Sequence, residues 1–155
     1  MSSWPAEATT IRFARASERK ALEDLQRRSS MHEPMYREQL AAHPDAIELP
    51  AEQITAGLVR VAERQGVIVG FAVLFEASEG ACELDGLFVE PDAMRGGIGR
   101  VLVQDAVRIA RDRGATRIDV VANPQALAFY EAVGFTTTGA TQTRFGPAPR
   151  MSLVV

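Results

Sequence analysis

The chain has 155 residues, 46% of them hydrophobic and 24% charged, and 17 Lys and Arg against 20 Asp and Glu leave a net charge of −3. Acids and arginines are interleaved, which excludes a basic stripe for nucleic acid and a polybasic cluster for a membrane, and fits a soluble globular protein. Cys82 is the only cysteine. An internal disulfide is therefore excluded, and a reducing cytoplasm is the expected compartment.

The length suits one domain that buries roughly 70% of its unfolded surface. That domain is expected over 10–155. Residues 1–9, with no apolar leader core, read as a flexible N-terminus and not as a signal peptide. The longest apolar run, Val67 to Phe75, is far short of the ~20 residues a membrane span needs. Thr10–Arg15 alternates as a first strand. Ser17 is expected to cap a helix to about Ser29, with Ala21, Leu22 and Leu25 inward. Ser29–Pro34 reads as a loop and Met35–Ala42 as a second helix, broken by His43-Pro44-Asp45. Pro50–Ala56 is a helical turn. Leu58–Arg64 and Val67–Ala77 form a hairpin closed at Gln65-Gly66. After the turn Ser78-Glu79-Gly80, Ala81–Val89 is a third strand. Leu84 and Leu87 both read as core residues there, yet their parity is opposite. A bulge near Asp85-Gly86 reconciles them.

This strand ends in Leu87-Phe88-Val89 and runs through Glu90-Pro91 to Arg95-Gly96-Gly97-Ile98-Gly99-Arg100. A helix follows with Ile98, Leu102, Ala106, Ile109 and Ala110 on one face, stopped at Gly114. A strand, a glycine-rich turn and a helix start make a pocket for an anion. The first-turn N–H groups lack partners, and the helix dipole adds about 0.3–1 kcal/mol per bound anion. Gly96, Gly97 and Gly99 carry no Cβ to hold a phosphate away. Arg95 and Arg100 bring full charges, although Arg100 also reads as a solvated helix residue. A dinucleotide fingerprint fails because its third glycine falls on Leu102. A P-loop fails because Lys20, the only lysine, follows Arg19. Further on, Arg117–Ala122 is a buried strand. Asn123 and Pro124 open a helix at 124–133, and Gly134 stops it. Phe135–Thr143 and Met151–Val155 read as late strands around a Gly146-Pro147-Ala148-Pro149 loop. The fold class is α+β, a mixed sheet with helices on both faces.

The run Met94-Arg95-Gly96-Gly97-Ile98-Gly99 resembles the coenzyme A loop of the GNAT N-acetyltransferase superfamily, Gln/Arg-x-x-Gly-x-Gly/Ala. Met94 stands where the first basic or amide residue is usual. Asn123-Pro124-Gln125-Ala126-Leu127-Ala128-Phe129-Tyr130-Glu131-Ala132-Val133-Gly134-Phe135 resembles that family's Asn-x-x-Ala-x-x-Phe-Tyr-x-x-x-Gly-Phe. The likeness is specific from Glu83 to Phe135, and in layout it covers about Ile11 to Val155. It implies a mixed, mostly antiparallel sheet, splayed where coenzyme A enters. It also implies acetyl-CoA as co-substrate. The pyrophosphate would lie on Arg95, Gly96, Gly97, Gly99 and Arg100, and the pantetheine arm would pair with the backbone of Leu87, Phe88 and Val89. Asn123 would reach the pantetheine or the acceptor, or serve only as the helix cap. His32, Met35 and Tyr36 lie in the segment that would roof the acceptor cleft, where packing is the plainer reading.

Moving an acetyl group from a thioester to an amine requires an unprotonated amine, a base, an oxyanion donor and a proton for the departing thiolate. Alkyl amines titrate near ~10.4, so a carboxylate must collect a proton at neutral pH. Glu83 and Asp85 are the candidates, with Glu83 the better match to the family position. The alternative is that they pair with arginines on a solvated edge. Tyr130 would be the general acid toward the sulfur, against the alternative of a core aromatic. A backbone N–H near Leu87 or Phe88 would meet the oxyanion. The acceptor is expected to be a small amine or a peptide, and a homodimer is the default assembly. No metal is expected: after His32-Glu33 the second zinc histidine would fall on Tyr36, and His43 stands alone. Cys82 reads as packing. The competing function is a non-catalytic acyl-CoA-binding or sensor domain on the same fold; a nucleotide-dependent transferase lacks its motifs.

Overall fold

The computed structural model describes residues 8–32 and 34–155, the side chains of 34–36 excepted. The flexible terminus expected over 1–9 lies outside these residues up to 7, and the packing of Met35 and Tyr36 lies outside them as well. Thr9 is already in a strand. The strands are β1 (Thr9–Phe13), β2 (Val59–Arg64), β3 (Val67–Leu74), β4 (Ala81–Val89), β5 (Arg117–Val121), β6 (Thr136–Thr143) and β7 (Gly146–Val154). The helices are α1 (Arg19–Met31), α2 (Pro34–Ala42), α3 (Ala51–Thr55), α4 (Ile98–Asp112) and α5 (Leu127–Ala132). They make the expected α+β fold. The sheet has seven strands in the order β1-β2-β3-β4-β5-β7-β6. β4 and β5 are parallel, while β1/β2, β2/β3, β5/β7 and β6/β7 are antiparallel.

The chain divides into two compact units. One comprises the described part of Met1–Val73 with Gly86–Leu102; the other is Leu74–Asp85 with Val103–Val155. In the first, the hairpin at Gln65-Gly66 forms as expected, with φ of 53° and 78° at the two turn residues. Leu22 and Leu25 of α1 are fully buried with Val59, Val61 and Phe71 of the strands. Gly70 of β3 has no room for a side chain. A Cβ there would lie 2.9 Å from the Phe88 carbonyl oxygen, 3.0 Å from Ile98 Cγ2 and 3.3 Å from Leu102 Cδ1. Strand β4 and the first turn of α4 therefore meet β3 at backbone distance. In the second unit, Cys82, Ala110, Ile118 and Met151 are fully buried.

Several boundaries differ from expectation for local reasons. Ser17 does not cap α1. A 3-10 turn at Ala16–Glu18 precedes it, and the Glu18 carboxylate accepts the Arg15 N–H at 2.8 Å. The loop expected from Ser29 is helical through Met31. β3 stops at Leu74 and not at Ala77, and Arg113 Nη1 donates to the Leu74 and Phe75 carbonyls at 3.1 Å each. On α4 the buried set includes Val103, while Ile109 is only half-buried. The Gly146-Pro147-Ala148-Pro149 segment is strand, not loop: Pro147 faces Gln142 and Pro149 faces Ala140 across β6. The β5 ladder on the other side of β7 stops at Arg150. Prolines at 147 and 149 thus occupy a part of β7 that β5 does not flank, and edge positions tolerate them.

The bulge expected in β4 has a signature in the backbone. Phe75 N–H donates to the Glu83 carbonyl at 2.9 Å, and Glu90 N–H to the Val69 carbonyl at 2.9 Å. Moving from one bond to the other takes one more residue along β4 than along β3, so an extra residue sits in β4 between Glu83 and Glu90.

Candidate active site

The glycine-rich turn expected to hold a phosphate belongs to the first unit. Its backbone bears directly on that expectation. Arg95 and Gly97 both sit in left-handed conformations, with φ of 70° and 81°. For Arg95 this is a costly state, of order 1–2 kcal/mol, and such strain collects where backbone groups are being aimed. Gly96 N–H is already used, donating to the Ala93 carbonyl at 3.1 Å. The Gly97 carbonyl accepts the Val101 N–H at 3.1 Å, so Gly97 stands at the helix cap and the N–H groups of Ile98, Gly99 and Arg100 have no helical acceptor. Nothing lies within 4 Å of where a Gly97 side chain would start. Gly96 differs. The space of its missing Cβ is closed by Arg64 Nη1 at 3.0 Å and the Ala93 carbonyl at 3.1 Å. Its lack of a side chain accommodates Arg64.

The approach to the turn is held from α1. Arg28 Nε and Nη2 donate to the two Glu90 oxygens at 2.6 and 2.8 Å, and this pairing raises the Arg28 pKa. Glu90 lies between β4 and the Pro91–Ala93 turn. Leu87, Phe88 and Val89 are half-buried, and the Phe88 ring packs against Phe71 with centroids 5.2 Å apart and the rings tilted by 40°. The β4–β5 ladder covers only Ala81–Leu84; Asp85–Val89 continue past its end.

The remaining candidates belong to the second unit. Tyr130 is 6% exposed, with its ring edge-on to Phe129 and Phe135 at 5.1 and 5.2 Å. Burial pushes its phenol pKa up to about 12. Asn123 Oδ1 accepts the Gln125 N–H at 2.8 Å, so it does cap the Pro124–Ala126 turn. Removing that cap should cost about 1 kcal/mol. Asn123→Ala is accordingly expected to lower thermal stability modestly in a melting experiment.

Glu83 and Asp85 are both exposed and share one face of β4. Glu83 lines a groove with Asp119, Val120, Val121, Thr138, Arg150, Met151 and Ser152. Asp119 is occupied: Ser152 Oγ donates to it at 2.6 Å and Arg117 Nε at 3.2 Å. The Asp85 pKa is raised, first by desolvation and then by the charge of Glu83. Its ionised form is therefore less welcome in the folded chain than in the unfolded one. Stability is expected to fall as pH climbs through the ordinary carboxylate range to the raised value, and to stay lower above it. Asp85→Asn should thus raise the melting temperature at about pH 7 and lose that advantage below about pH 3. An equal difference at both pH values would contradict the assignment.

His32 follows α1 and His43 precedes a separate 3-10 turn. Among the described residues no group of three or more His, Cys, Asp or Glu is placed to hold a metal ion. Among them, too, no helix is long and apolar enough to cross a membrane. Arg64 is the residue that sequence reasoning passed over. It is fully buried, and its Nη2 donates to the Gly96 carbonyl at 2.5 Å.

Residues 19–135 match the acetyltransferase (GNAT) family, and the chain belongs to that family. The acyltransferase class read from its two motifs stands at that level. Among curated proteins it is similar to the peptidyl-lysine N-acetyltransferase YjaB of Escherichia coli K12, 41% identical over 59 residues. That stretch is 38% of this chain and spans only 39% of the relative's length. Among solved structures, the PaiA N-acetyltransferase of Thermoplasma acidophilum in complex with coenzyme A superposes with a TM-score of 0.79. It is 19% identical, and the match covers 95% of this chain and 99% of that one. Nourseothricin acetyltransferase gives a TM-score of 0.57 at 27% identity, over 62% of this chain and 64% of that one.

Proposed function

We propose that this protein is an acetyl-CoA-dependent N-acetyltransferase, a single catalytic domain over 10–155, acting on a primary amine in the cytoplasm. The observation that carries the reading is the turn at Arg95–Arg100, with left-handed Arg95 and Gly97 leading into α4, whose first-turn amides have no i−4 acceptor within the helix. Such a turn suits a pyrophosphate, with Arg95 and Arg100 adding charge. The backbone of Leu87–Val89, beyond the β5 ladder, offers strand-like partners to a pantetheine amide.

In this reading the amine attacks the thioester carbonyl directly. A new C–N bond forms as the C–S bond breaks. Glu83 or Asp85, directly or through water, takes the proton from the amine nitrogen. The raised pKa of Asp85, from desolvation and then the charge of Glu83, makes it a stronger base than an ordinary aspartate. An N–H near Leu87 or Phe88 stabilises the tetrahedral oxyanion. The Tyr130 phenol, fully protonated at neutral pH, gives its proton to the departing coenzyme A thiolate. Asn123 reaches the pantetheine or the acceptor. A small amine or a peptide amine both suit this chemistry. The name of the Escherichia coli relative supports trying a peptide lysine first.

One observation favours a second reading. Tyr130 packed edge-on between two phenylalanines is also what a core aromatic looks like, and a non-catalytic acyl-CoA-binding domain would need nothing more of it. Thiol release from acetyl-CoA with a panel of peptide and small-molecule amines separates the two. The enzyme releases thiol with at least one amine. Tight CoA binding with no turnover on any of them would favour the sensor.

A further inference from the structure

Arg64 closes β2 and is shut off from solvent on every side. Its Nε donates to Thr9 Oγ1 at 2.7 Å and its Nη2 to the Gly96 carbonyl at 2.5 Å. Nη1 lies against Gly96 and finds no hydrogen-bond partner among the described residues. No carboxylate there pairs with the guanidinium. A guanidinium stays charged even when burial lowers its pKa, as it does here. An uncompensated buried charge is costly to keep, so its place beneath an anion-binding turn calls for an explanation.

Peptide geometry supplies one. In a trans peptide the C=O and the following N–H point in opposite directions. With the Gly96 carbonyl drawn onto Arg64, the Gly97 N–H must point away from the buried guanidinium, toward the open side of the turn. The fork thus sets the direction of the first free amide, and Gly96 alone leaves space for it.

We propose that Arg64 is a positioning residue for the phosphate turn: it anchors the Gly96–Gly97 peptide so that the amide faces the ligand, and its buried charge is compensated when a pyrophosphate binds. This rests on reading the turn as the coenzyme A pyrophosphate site. It adds a residue that would never touch the ligand.

The test compares coenzyme A with pantetheine, which lacks the pyrophosphate. Both are titrated calorimetrically into wild type, Arg64→Met and Arg64→Lys, at a temperature where circular dichroism shows each protein folded. Arg64→Met is expected to bind coenzyme A at least tenfold more weakly and pantetheine as wild type does. Arg64→Lys, which keeps the charge but not the fork, is expected to lose severalfold for coenzyme A alone, and it carries the comparison if the Met variant does not fold. A purely structural role would lower the melting temperature while leaving the ratio of the two affinities unchanged. That unchanged ratio would overturn the proposal. If wild type itself binds coenzyme A no better than pantetheine, the reading of the turn fails instead.

Discussion

Tyr130→Phe is expected to leave coenzyme A affinity and melting temperature near wild type and to lower kcat by ~10²–10⁴-fold. The ring contacts with Phe129 and Phe135 survive the change, so packing is kept and only the hydroxyl is lost. The range is that of a lost positioned acid, and proton affinities set the condition under which Tyr130 can act as one. A free thiol titrates near ~8.5, well below a phenol held at about 12 by burial. Between free groups, transfer from that phenol to a thiolate would be uphill. It becomes competent when the sulfur is desolvated too, since lost hydration raises a thiolate's proton affinity in the same way. A phenol is protonated at neutral pH with or without burial, so in the proposed role the effect of burial is to demand that the thiolate be shielded with it. Steady-state kinetics with any active amine measures the loss. An unchanged kcat would remove Tyr130 from the mechanism and leave it a core aromatic.

Gly70→Ala is expected to unsettle both the fold and the turn. The new methyl would fall 2.9 Å from a backbone oxygen of β4, and a carbonyl inside a ladder cannot swing aside as a side-chain tip can. Its other near neighbours, Ile98 and Leu102, are the buried residues that seat the first turn of α4. Overpacking of this kind costs about 1–3 kcal/mol. In a chain of this length that is a fall of roughly 2–4 °C in Tm for each kcal/mol. Relief comes most cheaply by pushing Ile98 outward, which would tilt the amides of the phosphate turn. A weaker coenzyme A affinity is therefore expected alongside the lower Tm. A variant with wild-type Tm would show that β3 and β4 are less closely apposed than the contact distances imply.

The parts of this protein that were legible in its sequence are those where a local motif dictates local geometry. Pro91, the glycines at 96 and 97, and the apolar spacing of Ile98, Leu102 and Ala106 specify strand, turn and helix without help from distant residues. Asn123, Pro124 and Gly134 do the same for the Tyr130 segment, and the asparagine does cap. What escaped depended on partners remote in sequence. β7 was cut short because Pro147 and Pro149 argue against a strand, and only the end of the β5 ladder at Arg150 shows why they are tolerated. Arg64 was passed over because strict alternation from Val59 and Val61 sends it outward. Regular pairing with β1 keeps Glu63 on the face of Val61, toward Arg12, and puts Arg64 on the face of Ala62, which is fully buried as well. Whether the second face of a strand is covered depends on elements remote in sequence, and one strand's alternation does not carry it.

The proposed pyrophosphate site at Arg95–Arg100 is the point on which the account depends, and backbone amide NMR reads it most directly. On titration with coenzyme A, the N–H resonances of Gly97, Ile98, Gly99 and Arg100 are expected to shift most, while Gly96, whose N–H already bonds to Ala93, should move far less. Binding of coenzyme A that leaves those four amides in place, or no binding at all, would contradict the account.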